Sequence, residues 1–245
     1  MRADVLLVER GLAASRTAAH RLIAAGLVFA CEGTLRIALS KPSVSVAEDI
    51  SLEIEASELD RFVSRGGLKL EGALSRVALD VKNSHCLDVG QSTGGFTDCL
   101  LQRGVAHVVG VDVGHDQLHA KIRGDTRVTC IEGVNARTLQ DIGEPFDLIV
   151  ADVSFISLTK VLPQWPALLR EGGHVLSLVK PQFEVGADNL ARGGIVRDES
   201  LYAVVEKTIR KSCIDAGLIV LDYFGSSITG GDGNREFFVY AKASA

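Results

Sequence analysis

The clearest indication of the fold of this chain is the stretch Asp88-Val89-Gly90-Gln91-Ser92-Thr93-Gly94-Gly95-Phe96. An apolar run ends in it and a segment with helical spacing follows it, so the stretch predicts a strand, a glycine-rich turn and a helix. Glycines in such a turn let the backbone approach a ligand closely, and the first turn of the helix offers free N–H groups. The stretch therefore predicts an α/β domain that binds a nucleotide-like ligand.

The turn departs from the two common phosphate-binding motifs. Ser92 stands where a dinucleotide-binding turn has its second glycine, and no Gly-Lys-Ser/Thr follows, so a pyrophosphate site is poorly supported. Asp112 ends the next predicted strand, 22 positions after Gly90, where an acid can accept both hydroxyls of a ribose. A glycine-rich turn with a ribose-binding acid and no phosphate-binding motif fits S-adenosylmethionine, which contains an adenosine without phosphates. A turn that binds no ligand stays an alternative.

The predicted cofactor residues share this turn or the strand end beside it. Asp88 is expected either to orient the turn or to meet the ammonium of the cofactor. The full set is Asp88, Gly90, Ser92, Thr93, Gly94, Gly95, Phe96 and Asp112.

Strand and helix patterns alternate through the remainder of the chain, which predicts an α/β fold with a mostly parallel sheet and right-handed crossovers. The end differs, because 219–224 and 236–241 are joined without a helix and predict an antiparallel C-terminal hairpin. Strands are expected at 85–89, 107–112, 127–131, 146–151 and 173–179, and helices at 94–103, 115–121, 157–170 and 200–216.

The N-terminal part has another pattern, which predicts a small α+β domain over residues 1–60. The second domain is expected over 61–245, with 61–82 as a linking segment, and the boundary is placed near 57–62. The small domain is expected to hold helices at 3–11 and 15–25 and strands at 27–30, 35–39 and 50–54.

The net charge of −5 over 245 residues argues weakly against a general nucleic-acid binder, but positive charge is concentrated locally. Residues 1–40 carry a net +2 and residues 61–82 a net +3. Arg10, Arg16 and Arg21 on a compact helical module suit contact with RNA phosphates, and Arg65 is a further candidate. Ordinary solvated surface is the alternative.

Composition also bears on metals, membranes and location. Five cysteines, none close to another, indicate neither a disulfide framework nor a zinc site, so no metal is expected. We see neither a signal peptide nor the run of ~18 apolar residues that a membrane span needs. A cytoplasmic protein without a membrane partner is expected, with the oligomeric state open and a monomer favoured.

Four further residues, each in a matching context, carry a resemblance to a known family. The cofactor stretch resembles that of the FtsJ-type ribose methyltransferases, which share a Lys-Asp-Lys-Glu set around the target 2′-hydroxyl. The matching positions are Lys69 in Ser64-Arg65-Gly66-Gly67-Leu68-Lys69-Leu70, Asp152 in Ala151-Asp152-Val153-Ser154-Phe155, Lys180 in Val179-Lys180-Pro181-Gln182-Phe183-Glu184, and Glu236 in Gly233-Asn234-Arg235-Glu236-Phe237.

The N-terminal stretch Arg2 to Gly33 resembles an S-four-type RNA-binding domain. Together, the two parts resemble the TlyA family of rRNA 2′-O-methyltransferases, some of which are called haemolysins. Ala3 in place of a usual Leu, and Ala30-Cys31-Glu32 in place of a Val-Asn-Gly-like hairpin, depart from the pattern and concern RNA contact. The resemblance implies a Rossmann-like class I methyltransferase domain, with ribosomal RNA or ribosomal subunits as partner and a cytidine ribose as target.

The resemblance also implies roles for the four residues. A ribose hydroxyl is a poor nucleophile, so a base must take its proton, and burial with a second ammonium nearby can make a lysine that base. Lys180 is the expected base, with Lys69 as the second ammonium and Asp152 orienting Lys180. Glu236 is expected to hold Lys69 or the hydroxyl. The absence of a Pro-Pro-aromatic run after Asp152 favours oxygen as the methyl acceptor.

Several alternatives stay open at this point. Phe155 can stack on the target base or belong to the core, and the loop Gly186–Arg197 can cover the site, grip RNA or be a plain loop. A membrane-active haemolysin and an RNA-binding protein with a non-catalytic Rossmann domain are the competing functions.

Overall fold

The computed structural model describes residues 1–13, 15–55, 61–139, 142–230 and 233–244. The side chain of Arg21 lies outside the described part, as do most of the predicted boundary at 57–62 and two residues of the C-terminal turn. The chain divides into two compact units, Met1–Arg61 and Phe62–Ala245.

The first unit packs two helices with a small antiparallel sheet. Its strand order is β2-β1-β3, and the central residue Ala30 pairs with Ile37 on one side and Leu52 on the other. Buried Leu6, Leu7 and Ile23 join the helices to the sheet in one apolar cluster. The elements are α1 (Ala3–Glu9), α2 (Arg16–Ala24), β1 (Val28–Glu32), β2 (Leu35–Ala38) and β3 (Ser51–Ile54).

A fully buried carboxylate, Asp4, joins the two helices of this unit. It accepts hydrogen bonds from Arg2 Nε at 2.9 Å and Arg16 Nη2 at 3.0 Å, and His20 Nε2 lies 2.9 Å away. The Arg2 guanidinium, more than any other neighbour, holds the pKa of Asp4 far below its ordinary value. Arg16 and His20 therefore do not simply face outward, as their helical spacing suggests, because their polar tips turn back to Asp4.

The second unit is built on a seven-stranded sheet with the order β6-β5-β4-β7-β8-β10-β9. The pairs β4–β5, β4–β7, β5–β6 and β7–β8 are parallel, whereas β10 is antiparallel to both β8 and β9. The predicted mostly parallel sheet and C-terminal hairpin are confirmed. The strands are β4 (His85–Val89), β5 (His107–Asp112), β6 (Val128–Glu132), β7 (Phe146–Ala151), β8 (Leu169–Val179), β9 (Leu218–Gly225) and β10 (Phe237–Ala243).

Both faces of this sheet are buried, because successive side chains of each strand point to opposite faces. Along β8, Val175 and Val179 belong to one apolar cluster, whereas Leu176 and Leu178 belong to the other. The first cluster includes buried residues of α6, and the second includes buried residues of α3 and α4. The helices of this unit are α3 (Gly66–Arg76), α4 (Gly95–Gln102), α5 (Ala120–Arg123) and α6 (Leu201–Asp215).

Three segments differ from the expected elements. The predicted helix over 157–170 is wrong, since this region forms two 3₁₀ segments, Leu158–Lys160 and Leu162–Leu168, before β8 begins. Pro166 explains this, because an interior proline lacks the N–H of an α-helix and clashes with the preceding turn. The helix expected at 115–121 is reduced to α5, and helix α3 forms within the expected linking segment 61–82.

Candidate active site

The predicted cofactor residues, together with Asp152 and Lys180, lie where the parallel strands end. Strand β4 lies between β5 and β7, which is the position at which the strand order reverses and open α/β sheets bind ligands. A cavity of about 950 Å³ lies there, lined by residues that include Ser92, Asp112 and Asp152. A smaller cavity of about 140 Å³ adjoins it and is lined by residues that include Gly66 and Lys180.

The glycines of the cofactor turn allow it to pack against the protein itself. Gly90 has φ +84°, and a Cβ atom on it would lie 2.7 Å from the carbonyl oxygen of Asp152. Gly94 has φ +93° at the start of α4, and its Cβ would lie 2.7 Å from Leu118. Larger residues would therefore push the turn away from Asp152 on one side and from Leu118 on the other, so close packing of the turn requires glycine as much as ligand approach does.

Asp112 lies where a ribose-binding acid is expected. Its Oδ2 accepts a hydrogen bond from Ser92 N at 2.8 Å, and its Oδ1 accepts one from Gly114 N at 2.7 Å. Each carboxylate oxygen has a second lone pair, and the residue lines the larger cavity, so both oxygens can still accept from hydroxyls. Gln117, which the sequence did not single out, bonds Ser92 Oγ at 3.1 Å and lines the same wall.

Asp88 supports the turn through hydrogen bonds that run by way of Thr97 to Gln91. It is fully buried and lines neither cavity, so its position favours orienting the turn over meeting the cofactor ammonium. Its Oδ2 accepts from Thr97 Oγ1 at 2.7 Å, and Gln91 Nε2 donates to the same hydroxyl at 2.9 Å. Burial raises the pKa of Asp88 to about 7, and the negative charge of Asp152 adds to this effect.

Lys180 and Asp152 form an ion pair beside the cofactor turn. Lys180 Nζ lies 2.5 Å from Asp152 Oδ1 and donates a hydrogen bond to Ser154 Oγ at 2.8 Å. Both members of the pair, and Ser154, line the smaller cavity. Ser154 was missed in the sequence, although its place two residues after Asp152 and beyond the end of β7 is the signal that identifies such residues.

Lys69 and Glu236 form a second ion pair, which is more deeply buried. Lys69 Nζ lies 2.5 Å from Glu236 Oε2, and their side chains are 10% and 3% exposed. Neither residue lines either cavity. The four Lys-Asp-Lys-Glu residues thus form two separate ion pairs. The carboxylate of Glu236 balances the positive charge of Lys69, the residue expected to be the second ammonium near Lys180.

The sequence reasoning also missed Asn234. It is buried and bonds Val196 N and Gly194 O.

Three of the arginines expected to bind RNA, Arg10, Arg16 and Arg65, are exposed but are held by contacts within their own units. Arg10 donates to the carbonyl oxygens of Glu48 and Ile50, both at 2.5 Å, and Arg16 is held by Asp4. Arg65, just before α3, donates to Thr229 O at 3.1 Å. These contacts orient the guanidinium groups and leave other faces of them open to solvent.

Phe155 is an exposed aromatic residue at the mouth of the larger cavity. Its side chain is 91% exposed at φ +62°, so the core alternative is wrong. Its ring centroid lies 5.2 Å from that of Phe183, and both rings line the cavity. The loop Gly186–Arg197 instead forms an isolated bridge between Leu190 and Val196 and lines neither cavity.

The described residues hold neither a metal-binding cluster nor a membrane-spanning helix. Within residues 1–13, 15–55, 61–139, 142–230 and 233–244, no group of three or more His, Cys, Asp or Glu side chains is arranged to hold a metal ion. In the same part of the chain, no helix is long and apolar enough to cross a membrane.

Comparisons with known proteins agree with this architecture. The FtsJ-like methyltransferase family model matches residues 62–243. The chain is 42% identical to the 16S/23S rRNA (cytidine-2′-O)-methyltransferase TlyA of Mycobacterium tuberculosis, covering 98% of this chain and 89% of that protein. A solved structure from Streptococcus thermophilus, assigned by name to the hemolysins, is 40% identical with a TM-score of 0.76, covering 100% of this chain and 88% of that one.

A more distant structure shares the fold alone. The S-adenosylmethionine-dependent methyltransferase from Mesorhizobium loti is 17% identical with a TM-score of 0.52, and the match covers 69% of this chain and 95% of that one. This chain is therefore an S-adenosylmethionine-dependent methyltransferase that belongs to the FtsJ-like family and, over its whole length, to the TlyA family.

Proposed function

We propose that this enzyme methylates the 2′-hydroxyl of a ribose in ribosomal RNA, with a cytidine as the target nucleotide. The observation that carries the proposal is the position of Lys180, whose Nζ forms an ion pair with Asp152 and donates a hydrogen bond to Ser154 in the wall of the cavity beside the cofactor turn. The name of the mycobacterial relative, a 16S/23S rRNA (cytidine-2′-O)-methyltransferase, supports the substrate class.

After losing one proton, Lys180 is oriented to act as a general base. A neutral amine has two N–H donors and one lone pair, and Asp152 Oδ1 and Ser154 Oγ are two acceptors for those donors. The lone pair is then free to accept the proton of the ribose hydroxyl as the oxygen bonds the methyl carbon. General-base help of this kind is typically worth about 10²–10⁴-fold in rate.

The two cavities suit the two ends of S-adenosylmethionine. Asp112 would accept the ribose hydroxyls, and apolar residues of the larger cavity, including Val113 and Val134, would pack against the adenine. The turn at Ser92 and Thr93, with Gly66 opposite, would hold the other end near Lys180. The bound cofactor supplies a methyl group on a cationic sulfur, so the protein mainly contributes alignment and proton removal.

The buried pair of Lys69 and Glu236 would serve the site by position. It joins α3 to the residue before β10, and β10 pairs with β8, which leads into Lys180. Because the charges of Lys69 and Glu236 compensate each other, this pair would fix the geometry around Lys180.

Phe155 would stack on the target base. Its exposed ring stands at the mouth of the cofactor cavity, and base–aromatic stacking is worth about 1–3 kcal/mol per base. A target inside an RNA helix would have to be extruded first, at a cost of a few kcal/mol. Stacking on Phe155 would offset part of that cost.

Residues 1–60 would act as an S-four-type RNA-binding domain, and Arg10, Arg16, Arg21 and Arg65 would contact phosphates. Asp4 supports a role for Arg16, since it fixes the guanidinium while leaving the side chain 60% exposed. An arginine oriented in advance loses less conformational entropy when it binds a phosphate.

Replacement of the proposed base tests this function. Lys180→Ala should lower the rate of methyl transfer from labelled S-adenosylmethionine to ribosomal subunits by about 10²–10⁴-fold. Its Kd for the cofactor, measured by calorimetry, should stay within about twofold, because Asp112 and the turn are untouched. Mapping the labelled nucleotide identifies the target.

Lys207→Ala, at an exposed position on α6, is the matched control and should transfer methyl groups at the wild-type rate. Near-normal turnover by Lys180→Ala would remove Lys180 from the proposed role. Methylation of a base instead of a ribose would contradict the proposed acceptor.

A further inference from the structure

Two neighbouring loops carry the residues proposed to act on RNA, and the carboxylate of Glu184 is one of the groups that join them. The loop after β7 holds Asp152 and Phe155, and the segment after β8 begins with Lys180. Glu184, four residues beyond Lys180, accepts a hydrogen bond from Ser157 Oγ at 2.6 Å and another from Leu158 N at 2.7 Å. Both oxygens of Glu184 therefore bond the far side of the loop that carries Phe155.

Phe155 requires such a restraint because its backbone is strained. A φ of +62° lies in the left-handed region, which is unfavourable for a bulky residue such as phenylalanine. On the N-terminal side, Asp152 N donates to Val89 O at 3.0 Å. On the C-terminal side, the backbone is held at Leu158, whose amide is bonded to Glu184 and whose side chain is buried.

We propose that Glu184 is a positioning residue that holds Phe155 and Ser154 in register with Lys180. This inference rests on the proposed function, because the proposed function assigns Phe155 and Lys180 their roles. The loops are joined at four points: Lys180 with Asp152, Lys180 with Ser154, Phe183 with Phe155, and Glu184 with Ser157 and Leu158. Without the contacts of Glu184, the strain at Phe155 can relax and Ser154 can move away from the Lys180 amine.

The chemistry at Glu184 requires two polar contacts at once. Leu158 N needs an acceptor because its residue is buried, and Ser157 Oγ also lies 2.7 Å from Thr159 Oγ1. Glutamine keeps one acceptor for Leu158 N, and its NH₂ group can donate to Ser157 Oγ. Alanine keeps neither contact. Burial raises the pKa of Glu184 above its ordinary value, as expected for a carboxyl enclosed between two loops.

Kinetics of three variants test the inference. Glu184→Ala should lower kcat for RNA methylation by about 10–100-fold, the usual range for loss of a group that orients a reacting residue. The Kd for S-adenosylmethionine should stay within about twofold, because Glu184 lines neither cavity. Glu184→Gln should recover kcat to within about threefold of wild type. Asp188→Ala, an exposed carboxylate in the same segment, should behave as wild type.

A second measurement does not depend on activity. Hydrogen exchange of the peptide covering 152–160, followed by mass spectrometry, should be at least about tenfold faster in Glu184→Ala and near wild type in Glu184→Gln. Unchanged exchange and unchanged kcat in Glu184→Ala would overturn the inference. An equal loss of cofactor binding and of global stability would also overturn it, because it would indicate a general structural role.

The two proposals can fail separately. If the wild-type enzyme transfers no methyl group to RNA ribose, the proposed function fails, whatever Glu184 does. If the wild type is active and Glu184→Ala is equally active, only the role of Glu184 fails.

Discussion

Among single residues, Asp88 shows how a buried group can make stability depend on pH. Its Oδ1 is buried and, among the described residues, has no hydrogen-bond partner. Its pKa is raised to about 7 in the folded protein, above the value of 3.8 for a free side chain. The folded state therefore binds more protons than the unfolded state between about pH 4 and pH 7, and stability falls as the pH rises through this window.

Asp88→Asn should remove this part of the pH dependence. Between pH 5 and pH 8, the wild type should lose up to about 3 kcal/mol more of its free energy of unfolding than the variant does. Urea unfolding without cofactor at both pH values measures this, and other titrating groups cancel in the comparison. Parallel pH profiles for the two proteins would show that Asp88 is ionised at pH 5.

The pair of Lys69 and Glu236 makes a different residue-level prediction. Glu236→Ala leaves a buried ammonium without its partner and should lower the free energy of unfolding by about 3–5 kcal/mol. Lys69→Met combined with Glu236→Met should recover most of this stability, since apolar residues of similar volume can replace a buried ion pair. Methyl transfer should stay low in the double variant. Recovery of activity together with stability would reduce the pair to a packing role.

At the level of elements, α3 and α4 pack so closely that the proposed cofactor and lysine positions depend on each other. A Cβ on Gly95, the first residue of α4, would lie 2.1 Å from Ser64 Oγ and 3.0 Å from Gly67 N. Asp98 of α4 also accepts a hydrogen bond from Val63 N at 2.9 Å. The residues that lead into α3, and thus Lys69, are positioned by the helix that follows the cofactor turn.

Gly95→Ala should therefore separate the two helices. We expect a loss of about 1–3 kcal/mol in stability from overpacking and weaker cofactor binding, by about tenfold or more, since 1.4 kcal/mol corresponds to a factor of ten. Calorimetry and thermal unfolding measure the two effects. Gly225→Ala is the matched control, because a Cβ there meets open space. Normal cofactor affinity in Gly95→Ala would mean that the helices tolerate the shift.

Element patterns in the sequence predicted most of the sheet but not all of the helices. Strands β4, β5 and β7 lie where the apolar runs place them, because parallel strands buried on both faces leave a strong local signal. Helix α3 was missed although Leu70, Ala73, Leu74 and Val77 have helical spacing, since two glycines precede them. The false helix at 157–170 followed apolar spacing and gave too little weight to Pro166.

At the level of the whole molecule, a net charge of −5 means that RNA binding must rely on local positive charge. Arg16→Gln combined with Arg21→Gln should weaken RNA binding and reduce the slope of log K against log salt by up to about 2, because each lost phosphate contact releases about one counterion fewer. Lys207→Gln with Lys211→Gln changes the net charge equally and is the control. Equal effects of the two double variants would indicate a response to total charge alone.

Within the sequence, local spacing and short motifs indicated the α/β class and the place of the cofactor turn, and the resemblance to a known family pointed to the Lys-Asp-Lys-Glu positions. Such signals are properties of neighbours along the chain. Packing settled what these signals left open: Glu236 pairs with Lys69, Asp4 is buried, and Phe155 is exposed. Lys69 and Glu236 are far apart in the sequence and come together only because α3 packs beside the β9–β10 hairpin. No local sequence pattern encodes such a contact.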